Sequence, residues 1–168
     1  MSSSYENGQY VVYGKVGVCR VVDCRPMHFG SAGTGNYYAL APQSDPKTLV
    51  YVPCDNEALM ARLRPLMDKA EIDRLLLDVT EDPVVWIEER NERSSAFRRI
   101  IAEGDRRQIV RLIRCLNQKK QERTEKDKKL SSTDETLLQE CIRLVDEEFS
   151  LALGIPRTRV GDYIRQHL

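Results

Sequence analysis

Trp86 is the one tryptophan of the chain, and a series of guanidinium groups follows it: Arg90, Arg93, Arg98, Arg99, Arg106, Arg107, Arg111 and Arg114. An indole beside arginines has a defined chemistry to offer a nucleic acid. The ring stacks on an unpaired base or wedges a base step in the minor groove, while the cations neutralise phosphates. At helical spacing Trp86 shares a face with Arg90, Arg93 and Phe97, whereas Ile87, Ser94 and Ile101 form the neighbouring apolar stripe. Ile87 then serves the core. Trp86 is left at the rim of a helix N-terminus, where orphan amides and the helix dipole favour an anion. The same ring has a second use, as a staple packed with Val84 and Val85 against the bundle, which is the ordinary fate of a large aromatic side chain.

The charge pattern bears on both uses. The chain of 168 residues has 26 basic and 26 acidic side chains and no formal net charge. Residues 90–129 nevertheless hold 14 Lys and Arg against 6 Asp and Glu, and residues 130–150 hold six acids against Arg143 alone. Such blocks assign different faces to different surroundings, and the basic block is the candidate for phosphate contact. Its plain alternative is a solvated helix surface, since exposed charges are screened within a Debye length.

Other chemistries find little support. There is no GxxxxGK[ST], GxSxG or HExxH pattern, and no serine, histidine and acid arrangement, so an enzyme is not expected. The glycines of "HFGSAGTGN" follow one strand and lead into another, which makes a hairpin loop rather than a nucleotide cradle. Glu88 and Glu89 would act as acid and base only inside an enclosing pocket. Five cysteines without a CxxC pair, and two histidines far apart, argue for reduced, packed thiols and against a disulfide framework or a zinc site. No cofactor or small-molecule substrate is implied. No apolar run approaches the roughly 20 residues that span a bilayer, and "MSSSYENGQY" has no leader character, so a cytoplasmic location is expected.

These residues need positioning by two kinds of structure. Residues 1–54 read as β: "QYVVYG", "VGVCRVVDCR", "NYYALAP" and "KTLVYVP" are short, rich in Val and Tyr, and separated by turn formers. Four or five such strands predict a small, bent barrel of the SH3 or Tudor kind. From Asp55 the period becomes helical and breaks at Pro65. Asp82 with Pro83 reads as a helix start and Gly104 as its stop, and Asp105 caps a helix with Ile109, Ile113 and Leu116 inward and Arg107, Arg111 and Arg114 outward. The polar run 117–129 is either an extension of that helix or a loop. Ser132 and Glu135 predict a capping box for a helix with Leu138, Cys141, Val145, Phe149 and Ala152 on one stripe, and residues 158–168 a last short helix. The expected fold is thus α+β in two domains: a β module over 1–60, a linker with a short helix over 61–81, and an all-α bundle over 82–168.

With these residues in view, the chain resembles the CarD/CdnL family of bacterial RNA polymerase-binding transcription regulators. "YENGQYVVYGKVGVCRVVD", "TLVYVPCDN" and "LRPLM" are similar to the polymerase-interacting module that the family shares with the transcription-repair coupling factor. "AEGD", "VRLIRCL", "LSSTDETLL" and "LVDEEFSLALG" are similar to its helical half. The resemblance implies that the β module binds the polymerase β subunit by extending a sheet edge, with Val50, Tyr51, Val52 and Pro53 at the contact. It also implies that the helical domain meets promoter double-stranded DNA at the bubble edge and stabilises the open complex, with Trp86 in the minor groove. The DNA-facing cations on that reading are Arg90, Arg93, Arg98, Arg106, Arg107, Arg111 and Arg114. Three features depart from the family pattern: the interval from Trp86 to Gly104 is about one helical turn longer, Glu88 and Glu89 stand where bases are expected, and Tyr51 stands where arginine is expected. The alternative from another class is an adaptor on polymerase with no direct DNA contact, in which Trp86 is buried.

Overall fold

The computed structural model describes residues 4–28, 30 and 33–168. The chain forms two compact units, residues 1–66 and 67–168.

The first unit is a five-stranded antiparallel sheet. Its strands are β1 (Tyr10–Tyr13), β2 (Gly17–His28), β3 (Thr34–Pro42), β4 (Val50–Pro53) and β5 (Leu63–Pro65), in the order β4-β3-β2-β1-β5. Alternation sets what each strand buries. The register puts Val11 opposite Cys19, Val21 opposite Leu40, and Tyr38 opposite Val52, and these residues with Leu63 form the core. Val12 and Val18 are buried as well, so the paired ends of β1 and β2 are covered on both faces and not on one. A bulge between Val21 and Asp23 shifts the register halfway along β2, the device by which a long strand bends. Tyr5 fastens the preceding segment: its hydroxyl donates to the Leu63 carbonyl at 3.2 Å, and its ring meets Tyr38 edge-on at 5.7 Å. The glycine loop between β2 and β3 falls partly on Phe29, Ser31 and Ala32, outside the described residues; the strands flanking it pair out to His28 and Thr34.

The segment read as a linker, 61–81, contributes to both units. After a single turn of helix, α1 (Glu57–Met60), β5 pairs with β1. Then α2 (Lys69–Asp78) opens with a capping box, the Asp68 carboxylate accepting from Glu71 N at 2.8 Å and Glu71 returning the bond at 3.2 Å. Ile72, Leu75, Leu76 and Val79 enter the helical core.

The rest of the second unit comprises α3 (Arg90–Glu103), α4 (Arg106–Glu125), α5 (Ser132–Leu153) and α6 (Arg157–Gln166). Phe97, Ile109, Leu112, Leu116, Leu138, Leu144 and Phe149 are fully buried. Gly104 ends α3 in the left-handed region at φ 76°, a conformation that glycine adopts without a Cβ clash, and Asp105 caps α4. The polar run is helix as far as Glu125.

Two expected helix starts move. α3 does not begin at Asp82, which has φ +47°, but at Arg90, because the Glu89 carboxylate accepts from the amides of Asn91 and Glu92 at 3.1 and 2.5 Å. The β-branched pair Val84 and Val85 after Pro83 has little reason to favour helix. α5 is capped by Ser131 and not Ser132: its hydroxyl accepts from Asp134 N at 3.1 Å and donates to the Asp134 carboxylate at 2.8 Å.

Candidate functional site

Because α3 starts late, Trp86 lies on the non-helical segment before the helix and shares no helical face with Arg90 or Arg93. The segment is pinned by Arg93. Its guanidinium donates from Nη1 to the carbonyls of Ile87 (2.9 Å) and Glu88 (3.1 Å), and from Nε and Nη2 to the two oxygens of Asp134 (3.1 and 2.9 Å). The pair is buried, at 6 % and 2 % side-chain exposure, and this forked geometry uses the planar donor set that only arginine has. Burial alone would raise the Asp134 carboxyl; the bonds from Arg93 and Ser131 outweigh it and hold the group below the usual carboxylate range.

Trp86 is half-buried in the pocket so formed. Its ring meets Phe97 edge-on at 6.2 Å, and three cations lie over it: Arg93 at 4.2 Å, Lys119 at 5.1 Å and Arg123 at 5.6 Å from the ring centroid. The indole Nε1 is buried and makes no hydrogen bond. What Trp86 turns outward is therefore not its N–H. Lys119 and Arg123 are missing from the set expected from sequence. Their signal is the spacing Leu112, Leu116, Lys119, Arg123, which carries the apolar stripe of α4 on into its polar run.

The expected DNA-facing cations divide. Arg90, Arg98 and Arg114 are exposed, and Arg107 is half-exposed with Asp78 at 3.0 Å. Arg93, Arg106 and Arg111 turn inward, which corrects their assignment to phosphate. Arg106 is paired with Glu148 at 3.0 Å, both essentially without solvent contact, and also donates to the Gly104 carbonyl at 2.9 Å. Arg111 caps the end of α2 by donating to the carbonyls of Val79 (3.3 Å) and Asp78 (3.1 Å). A guanidinium satisfied inside the bundle cannot reach a phosphodiester without breaking these contacts. Glu89, a departure from the family pattern, works as a helix cap, and the amide of Glu92, then that of Asn91, holds its carboxyl below the usual range.

All five cysteines are free. Burial pushes Cys141 up to about 12, and burial with the neighbouring Cys24 thiol pushes Cys54 up to about 11, so neither is a thiolate nucleophile at neutral pH. No helix among the described residues is long and apolar enough to cross a membrane.

In the first unit β4 is an edge strand, with β3 as its only hydrogen-bonded neighbour strand among the described residues. Val52 is buried and Val50 packs on the core, so of the four expected polymerase-contact residues these two direct their side chains into the sheet's own interior. Tyr51 and Pro53 alternate to the other face. Residues 5–66, almost the whole of this unit, match the family model of the CarD-like/TRCF RID domain. The N-terminal unit is a CarD-like/TRCF RID domain. RID domains of the CarD/TRCF family interact with the RNA polymerase β subunit. A comparison with curated proteins gives no match for the chain. In this RID domain the edge strand β4 comes from the segment "TLVYVPCDN" that first pointed to the family.

Proposed function

We propose that the chain is a bacterial, cytoplasmic transcription regulator, not an enzyme, that docks on the RNA polymerase β subunit through its RID domain and brings the helical unit to promoter DNA, where it stabilises the open complex. The observation that carries this reading is the RID match over a sheet in which β4 is the edge strand among the described residues, the arrangement that strand addition requires. Main-chain bonds supply affinity in that mode, which accommodates Val50 and Val52 facing the core. A sheet curled as tightly as an SH3 or Tudor barrel, bent at the β2 bulge, belongs to the same reading.

The DNA-facing surface on this reading is Trp86 with Lys119 and Arg123 over its ring, together with the exposed Arg90, Arg98 and Arg114. Docking of the RID raises the effective concentration of DNA at this surface, so a few phosphate contacts suffice. Full-length protein titrated with an immobilised β-subunit fragment tests the docking step: Tyr51→Pro, which removes an edge-strand amide, should lower affinity about tenfold or more with an unchanged circular dichroism spectrum. Undiminished binding would sink the edge-strand model.

A second reading, an adaptor on polymerase without DNA contact, has one observation in its favour: the Trp86 ring is packed on Phe97 with its Nε1 buried. DNA binding as a function of salt separates the two. On the first reading, Lys119→Ala and Arg123→Ala each weaken binding uniformly across sequences and lower the logarithmic salt slope by about 1; on the second there is no slope to lower.

A further inference from the structure

The helical unit holds a cavity of about 620 Å³ between α4, α5 and α6, walled on one side by the chain at 79–84. That size is in the range of ligand sites, and the spaces between bundle helices are a common place for them. Branched aliphatic side chains, among them Val84, Val110, Ile113, Val145 and Ile164, line it together with neutral polar ones such as Asn117, Gln118 and Gln121, and no aromatic residue is among the described residues that line it. Planar heterocycles are usually gripped between rings; walls of Val and Ile suit a flexible hydrocarbon chain.

The polar groups define what the other end of such a chain must be. Four arginines and one acid line the cavity. Arg111 is committed to the carbonyls of Asp78 and Val79, and Arg165 is paired with Asp162. Arg114 and Arg157 are exposed at the mouth. The acid, Asp146, is half-buried, and its carboxyl is pushed up to about 6 by burial, against the pull of nearby Arg157. A ligand anion at the mouth therefore meets two guanidinium groups and a carboxyl that gives up its charge more easily than most. An ammonium head would meet the two guanidinium groups as like charges.

We propose that this cavity binds a medium-chain fatty-acid anion, its chain between α4, α5 and α6 and its carboxylate at Arg114 and Arg157. The site is separate from polymerase docking and does not depend on it. It adjoins Trp86: Pro83 and Val84 line the cavity three and two residues earlier in the chain, and α4 presents Cys115 and Gln118 to the cavity and Lys119 to the indole. The single tryptophan thus reports occupancy.

The test is a titration of the full chain with monomeric laurate, read by calorimetry and by Trp86 emission. Saturable one-to-one binding with a shift in emission is expected. Gly161→Leu fills the cavity from a helical position with room for a Cβ, whose nearest neighbour is the Arg165 guanidinium at 3.5 Å, and should weaken binding about tenfold or more. Asp146→Asn should tighten it, and dodecylamine should bind about tenfold more weakly than laurate. Absence of saturable binding, equal affinity for Gly161→Leu, or equal affinity for the amine overturns the proposal. So does binding to anionic vesicles without binding to monomeric laurate, which would make the surface and not the cavity the lipid site.

Discussion

The two units solve the problem of an interior in opposite ways. The RID core buries no charged side chain among the described residues, with Val11, Cys19, Val21, Leu40 and Val52 without solvent exposure. The helical unit buries Arg93 with Asp134 and Arg106 with Glu148, and Glu147 beside Arg143. Apolar packing rewards any shape that excludes water, whereas a buried ion pair is favourable only in one geometry. The difference assigns tolerance to the first unit and exactness of fit to the second, where the segment bearing Trp86 must be held in place.

That contrast is open to breaking. The largest effect is expected from Arg106→Met: it strands the Glu148 carboxylate in the core and should destabilise the helical unit by about 3–5 kcal/mol, seen as a lowered urea midpoint. The double variant Arg106→Met with Glu148→Leu should recover part of that loss, since no lone charge remains. A core truncation in the RID such as Leu40→Ala removes packing only and should be destabilising by about 2–5 kcal/mol, with the Trp86 signal of the other unit unchanged during the first transition. Arg93→Ala is the sharpest probe of the segment. The freed carbonyls of Ile87 and Glu88 should let Trp86 emission move to longer wavelength before the bundle unfolds.

Smaller effects refine the comparison. Gly161→Leu, a helix-interior glycine replaced at a site with space, should stabilise the helical unit by about 0.5–1 kcal/mol, measured as a raised midpoint. Asp146 should make the stability of this unit depend on pH. Its folded pKa, about 6, lies above the ordinary 3.8, so the folded state binds the proton more tightly and stability falls as pH rises through that interval. Asp146→Asn should raise the melting temperature at pH 7.5 and do nothing below pH 3.8.

Much of the fold is visible in the sequence, for reasons that differ by region. In the RID, alternation of period two and turn residues between short strands mark β1 to β4 directly; β5 is hidden because three residues ending in proline carry too little pattern. Gly104 and Asp105 mark a helix end and the next start by conformations few other residues favour. The candidate site is harder. Arg93, Phe97 and Ile101 are the buried residues of α3, spaced by fours, so the arginine occupies the core stripe; a rule that sends charge to solvent overrides that spacing. Its partner lies 41 residues away and that of Arg106 42 residues away, in an acidic block that reads as surface. Glu148 likewise follows Cys141 and Val145 on the stripe of α5. Periodicity contained the information, and only the distant carboxylates make it intelligible. The position of Trp86 depends on where α3 starts, and Asp82 with Pro83 resembles a cap as well as Glu89 does.

Arg93 also joins two separations of very different length. It reaches Ile87 and Glu88 across six and five residues and Asp134 across 41. Closing the short loop restricts the chain far less than closing the long one. During folding the turn ahead of α3 is thus able to organise around this side chain before α5 arrives, and the carboxylate of Asp134 then converts a local preference into a fixed feature. A φ value for Arg93 measured through its two sets of partners would record that order of events.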